Sequence, residues 1–373
     1  MGRSTPSSYT NPHARGAPSN PVNRFEALHY DPDAIDEPAL HSDEWIPPDN
    51  DAPTDSTPAR PSLKTRFYRD LSNTLITYND SPDIGFRASL NAYRGCEHGC
   101  AYCYARPTHE YLGWSAGLDF ESKVLVKDRA PDLLRDELNA PRWQPQVIAM
   151  SGVTDCYQPA ERHFRITRRC LEVLAEFRNP VGIVTKNHLV TRDIDLLREL
   201  ASHSAAVVYV SVTTLDASLA RTLEPRTSSP SHRLDAIRLL SAAGIPTGVM
   251  MAPIIPGLTD HEILPVLEAA RDAGATTAGY TTLRLPHGLK EIFTGWLDKH
   301  MPEKKERVIA RIRDLRGGKL NSSDWADRMT GTGFWAEQIR SVFNATKTRL
   351  QIGRHAPLST ASFRRRRAQL ELF

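Results

Sequence analysis

Between about residues 85 and 290, short apolar runs alternate with longer stretches whose apolar positions recur every three to four residues. This is the pattern of strands interleaved with amphipathic helices. Ala88–Tyr93 predicts a first strand. Gln146–Ser151 precedes a helix over Arg162–Phe177, Val181–Lys186 one over Arg192–Ser202, and Ala205–Thr213 one over Ser231–Ala243. Pro246–Met251 precedes a helix over His261–Ala273, and Thr276–Leu283 closes the series at six strands. Strands separated by helical lengths predict an α/β fold of βα units around a parallel sheet, with a TIM-like alternation but too few units for an eight-stranded barrel of ordinary diameter. In such folds chemistry gathers at the C-terminal ends of the strands, so the loops after each strand are where reactive residues are sought.

The flanks have a different texture. Residues 1–61 hold 11 of the 27 prolines and little apolar periodicity, and are expected to be a largely disordered arm or one wrapped over the core. Within it Asn20–Phe25, with Leu28, is the segment expected to dock. The core is expected over 62–290 and a small basic helical cap over 291–363, with helices at Lys299–Leu315 and Gly333–Ala345, followed by a basic tail over 364–373.

The formal charge of +3 conceals an asymmetry: residues 1–60 carry ten acidic and four basic side chains, residues 290–373 nine acidic and eighteen basic ones. A basic end is compatible with nucleic acid and equally with a solvated helical face. There is no apolar run of membrane-spanning length and no signal peptide at the N-terminus, and cysteine is scarce. A soluble cytoplasmic protein with no membrane partner is expected.

Three of the five cysteines lie in one stretch, Cys96-Glu-His-Gly-Cys100-Ala-Tyr-Cys103-Tyr104. Thiolates at this spacing can converge on one face of a compact loop and suit a thiophilic metal or an iron–sulfur centre. A [4Fe–4S] cube on three thiolates keeps one iron open to a ligand. Zinc with His98 as fourth ligand is the competing reading, although no second CxxC and no HxxxH occurs to supply the usual distant pair.

CxxxCxYC, with an aromatic residue before the last cysteine, resembles the motif of the radical S-adenosylmethionine (SAM) superfamily, and Tyr104 makes it similar to the spore photoproduct lyase group. The resemblance implies a partial (β/α)6 barrel over about residues 85–290 and a [4Fe–4S] cluster on Cys96, Cys100 and Cys103. It further implies SAM held by its amino and carboxylate groups at the open iron, and an electron donor such as flavodoxin or ferredoxin. Reductive cleavage of SAM would give methionine and a 5′-deoxyadenosyl radical that abstracts hydrogen from a substrate, here a DNA lesion. A protein, RNA or metabolite substrate is the alternative, and a non-enzymatic zinc-stabilised adaptor is the rival of another class.

The same resemblance orders the remaining candidates. The second strand runs into Ser151-Gly152-Val-Thr154-Asp155-Cys156, where small residues admit a ligand close to the backbone and Thr154 and Asp155 could bind the SAM ammonium. Spore photoproduct lyases carry a hydrogen-donating cysteine just before Thr-Ser-Asp; here Val153 occupies the position before Thr154, and Cys156 is the substitute candidate or a small buried residue. Lys186 could pair with the SAM carboxylate, and Ser211 and Thr213, on one face of the fourth strand, could contact its ribose or methionyl part. Ile255 and Gly257 resemble the segment that stacks on and borders adenine, with Asp260 as a helix N-cap. Tyr102 and Tyr104 are candidates for contact with adenine and for hydrogen relay, or for packing over the cluster. Arg233 could hold an anion or pair with Glu224. Cys170 falls on the apolar face of a helix and is expected in the core.

Gln369-Leu-Glu-Leu-Phe373 resembles the peptide by which polymerases and repair proteins dock on the replicative sliding clamp, and Arg364–Arg367 before it would favour nearby DNA phosphates. No GxGxxG follows any strand, which argues against a Rossmann methyltransferase or a nicotinamide enzyme.

Overall fold

A computed structural model describes residues 15–25 and 64–365 of the 373-residue chain. Its centre is a sheet of six parallel strands in chain order: β1 (Ala88–Leu90), β2 (Ile148–Met150), β3 (Val181–Thr185), β4 (Ala206–Ser211), β5 (Thr247–Ile254) and β6 (Thr277–Thr282). A seventh strand, Ile76–Tyr78, pairs antiparallel with β1. The two outer strands do not pair with each other, so the structure is an open, partial TIM-like barrel. The inner strands are apolar and largely buried, and in β4 only Tyr209 is partly exposed, whereas β6 at the edge carries three threonines and three partly exposed residues.

The crossovers are α1 (Ala130–Asn139), α2 (Ile166–Phe177), α3 (Ile194–Ser202), α4 (Pro230–Ala242) and α5 (Ile263–Asp272). Past β6 come α6 (Leu289–His300), α7 (Lys305–Leu315) and α8 (Gly333–Arg349). α8 packs on α5 and α7. One core fills the space between sheet and crossover helices; a second joins Cys100, Tyr102 and Ile255 to Phe293 and Trp296 of α6 and Ile312 of α7. The C-terminal helices therefore back the cysteine stretch.

Several boundaries move, each for a local reason. The first strand ends at Leu90: the chain bends, and Tyr93–Arg94 joins a separate three-stranded sheet with Arg66–Arg69 and Lys123–Val126. The expected helix over Arg162–Phe177 breaks at Arg165, which has φ +52°, because the Glu161 carboxylate turns back to accept the amides of Thr167 (2.9 Å) and Arg168 (3.2 Å) and so caps α2. Pro302, which has no amide hydrogen, divides the expected Lys299–Leu315 helix into α6 and α7. Asp260 is not an N-cap: it opens a short 3₁₀ turn before α5 and pairs instead with Arg311 of α7 at 2.8 Å.

Among the described residues no helix is long and apolar enough to cross a membrane. The clamp-like Gln369–Phe373, with Arg366 and Arg367, lies outside the described residues, as do residues 26–61 of the arm.

Candidate functional site

The cysteine stretch follows Arg94 and sits where β3, β4 and β5 end. Its shape depends on two buried groups. Arg106, fully buried, donates to the carbonyls of Cys100 (2.9 Å) and Gly99 (3.0 Å) and pairs with Glu121 at 2.5 Å. Glu121 also accepts the amides of Gly16 (3.1 Å) and Ala17 (2.8 Å), which ties the N-terminal segment 15–25 to the stretch. Gly99, at φ +65°, must be glycine, since a Cβ there would lie 2.5 Å from Glu121 Oε2.

The polar side chains inside the motif are engaged by other residues. Glu97 accepts from the Thr65 hydroxyl (2.8 Å) and pairs with Arg226 (3.1 Å). Both ring nitrogens of His98 are engaged, Nδ1 at 3.4 Å from Asp155 and Nε2 at 3.2 Å from Asn187. Among the described residues no three His, Cys, Asp or Glu side chains are grouped as ligands of a single metal ion, and the zinc reading loses His98 as its fourth ligand. What the loop offers is three sulfurs, those of Cys96 and Cys100 buried and that of Cys103 half-buried, with Cys103 packed against the clusters holding the other two. Burial pushes all three thiols up, aided by Asp155 at Cys96 and by Glu224 at Cys100. Empty, such a site is protonated; a metal centre would displace those protons. A donor set of sulfur alone, in threes, fits an iron–sulfur cluster with one open iron.

Around it the strand ends are joined by a buried polar web. The Tyr102 hydroxyl donates to Glu224 and lies 3.2 Å from the Thr213 hydroxyl, which itself donates to Glu224 at 2.8 Å. Arg233 pairs with Glu224 and donates to Ser211 O at 3.2 Å. Lys186 lies 5.8 Å from the Tyr102 ring centroid and donates to Ala252 O at 3.1 Å. Of the two readings of Arg233, the ion pair is the one formed.

The web redistributes the sequence candidates. Asp155 accepts from Thr185 (2.8 Å), the Lys186 amide (2.7 Å) and the Tyr157 amide (2.8 Å) besides meeting His98. Thr154 donates to Tyr93 O at 2.9 Å. Both fasten the β2 loop to its neighbours. The Thr213 hydroxyl is likewise engaged within the protein, while Ser211 is buried at the end of β4. Ile255 packs in the cluster of Cys100 and Tyr102, and Gly257 takes φ +82° against α7.

Ser151 adopts φ +73°, a left-handed conformation seldom taken by a side-chain-bearing residue, and its hydroxyl accepts the Cys156 amide at 2.9 Å. Gly152 O accepts the Tyr104 hydroxyl at 2.6 Å, joining this turn to the cysteine stretch. Cys156 is 1% exposed and lies in the main core, as does Cys170 at 0%.

Arg106, Glu121 and Asn187 were not among the sequence candidates. A buried charge pair between residues fifteen apart has no signature in spacing, and Glu121 shares its short helix Leu118–Ser122 with another carboxylate, Asp119, so nothing in the sequence singles it out.

Residues 90–270 match the model of the Radical SAM superfamily. The uncharacterized protein Rv2578c of Mycobacterium tuberculosis is 38% identical over 237 residues, 62% of this chain and 68% of that one. The chain belongs to the radical SAM superfamily. A second relative, the uncharacterized protein MJ0683 of Methanocaldococcus jannaschii, is 33% identical over 183 residues, 48% of this chain and 65% of that one. Among solved structures, a spore photoproduct lyase double mutant with bound AdoMet and dinucleoside spore photoproduct superposes with a TM-score of 0.50 at 14% identity, covering 76% of this chain and 78% of that one. At that identity the likeness is one of fold. The radical SAM membership makes this chain an enzyme and implies a [4Fe–4S] cluster and SAM as its cofactors.

Proposed function

We propose that this radical SAM enzyme holds a [4Fe–4S] cluster on Cys96, Cys100 and Cys103 and acts by hydrogen abstraction on a nucleic-acid substrate, with damaged DNA the first to examine. The observation that carries the reading is a loop whose only free donors are three sulfurs, at the C-terminal mouth of a partial barrel. A reduced cluster with SAM bound supplies the chemistry, a 5′-deoxyadenosyl radical formed with one electron from an external donor. The chain's own residues hold and orient. Lys186, half-buried and without a carboxylate partner among the described residues, is the cation available to a carboxylate of SAM. Tyr102 is fixed by Glu224 and Thr213 one residue from Cys103, so the cluster loop cannot drift relative to β4. Tyr104, 48% exposed, presents its ring at the mouth, where a base could stack.

Anaerobic reconstitution with iron and sulfide, then SAM and dithionite, is expected to yield 5′-deoxyadenosine. A well-loaded iron–sulfur protein that forms none would overturn the proposal. Because Cys156 lies in the core, Cys156→Ala is expected to form 5′-deoxyadenosine at the wild-type rate while losing about 1–2 kcal/mol of stability. A variant that forms 5′-deoxyadenosine but gives an altered substrate product, its substrate radical no longer quenched by hydrogen from a thiol, would instead restore Cys156 as a hydrogen donor.

A further inference from the structure

Arg284 follows β6 after Leu283, and its guanidinium carbon lies 5.7 Å from the Tyr104 ring centroid. Among the described residues no carboxylate forms a salt bridge with it. Its Nη1 meets only Met329 Sδ at 3.5 Å, and its Nε is buried without a partner. Arg316, 3% exposed, occupies the same corner, holding the residues just before Arg284 through Thr282 Oγ (2.9 Å) and Leu283 O (2.7 Å) and donating to Asp327 O at 2.9 Å. These partners are carbonyl and hydroxyl oxygens; the Asp327 carboxylate acts on Arg316 through space without a salt bridge, and the Arg316 Nε too is buried and unpartnered. Among the described residues only the third guanidinium, Arg328, beside Met329, forms a salt bridge: Asp83 accepts from it at 2.5 and 2.6 Å.

Three arginines thus share a corner with two carboxylates, Asp83 taken by Arg328 and Asp327 accepting the Ser322 hydroxyl at 2.6 Å, and among the described residues neither forms a salt bridge with Arg284. Burying a guanidinium without an anion is costly, and a buried donor with no partner in the protein is one that a water or an anion can satisfy. A guanidinium fork matches carboxylate and phosphate geometry. The surroundings favour phosphate on a nucleic acid: Tyr104 is 48% exposed on one side, and Trp325, on the loop carrying Arg328, is 51% exposed. Exposed aromatics interleaved with arginine form a surface on which bases stack while the backbone is neutralised.

We propose that Arg284, backed by Arg316, receives a backbone phosphate of a DNA substrate and sets the nucleotide over Tyr104 at the barrel mouth. This rests on the nucleic-acid reading above. The test is anisotropy of a fluorescent single-stranded DNA oligonucleotide titrated with the full-length protein at several salt concentrations. Arg284→Ala is expected to weaken binding about tenfold and to reduce the slope of log affinity against log salt by about 0.7, the loss of one phosphate contact. Arg284→Lys should fall between, since it keeps the charge and loses the fork. Lys290→Ala, an exposed cation on α6, should bind as wild type.

Arg284→Gln supplies the same reading should the alanine variant unfold. Wild-type affinity and slope in Arg284→Ala, with DNA still bound by the wild type, would overturn the phosphate site and leave the nucleic-acid reading standing. A wild type that binds no DNA at low salt would overturn both, while 5′-deoxyadenosine formation would still report separately on the radical chemistry.

Discussion

Replacing Cys103 with alanine is expected to reduce 5′-deoxyadenosine formation to background and to leave a protein that takes up little iron and sulfide. Two thiols would remain, and no neighbouring donor is free to replace the third: Glu97 is bound to Thr65 and Arg226, and both nitrogens of His98 are taken by Asp155 and Asn187. Cys103 is also the sulfur of the three that is not fully buried, the one a bound ligand could approach. Cys170→Ala is the matched control. It deletes a thiol 0% exposed in the core and should cost about 1–2 kcal/mol without changing iron content or product. Iron and sulfide analysis, the visible absorption spectrum and product quantification would be read together on both. Wild-type product from Cys103→Ala would mean that the centre is held by other groups, and the three-thiolate reading would fall.

The strand succession was legible because parallel strands buried on both faces are apolar runs in sequence, and the six runs pair as neighbours in chain order. The cysteines were legible because all three ligands come from one stretch. What spacing could not show is which polar residues at strand ends face a ligand and which face each other. Thr154 and Asp155 look alike for both roles. His98, Thr185 and the Lys186 amide reach Asp155 only once three separate loops have come together. Around Pro302 the apolar periodicity continues, but a residue with no amide hydrogen ends a helix regardless of the apolar stripe around it. Asp260 read as a cap because Asp before an apolar run usually caps; its partner, Arg311, is fifty-one residues away.

Arg233→Met is expected to destabilise the protein by about 3–5 kcal/mol, the usual loss when one member of a buried ion pair is removed. Arg233 and Glu224 are both 0% exposed at the side chain. Burial pushes the Glu224 carboxyl up, but Arg233 and then Lys186 outweigh it and hold the group down at about 2, against an ordinary 4.5. A depressed folded pKa means that the pair's stabilisation is fully present above the unfolded value and is lost as pH falls from about 5 toward 2. The shift corresponds to roughly 3 kcal/mol. Without Arg233 the carboxylate keeps two hydroxyl donors, Tyr102 and Thr213, and a more distant lysine. Tyr102 precedes Cys103, so the loosened web should also lower cluster uptake. The double variant Arg233→Met/Glu224→Gln removes the stranded charge and is expected to regain most of the loss, with a flatter stability profile between pH 5 and pH 3. Urea denaturation of wild type and both variants across that range supplies the numbers. A loss below about 1 kcal/mol in Arg233→Met, the level of an exposed pair, or a double variant no more stable than the single one, would show that the web does not rest on this pair.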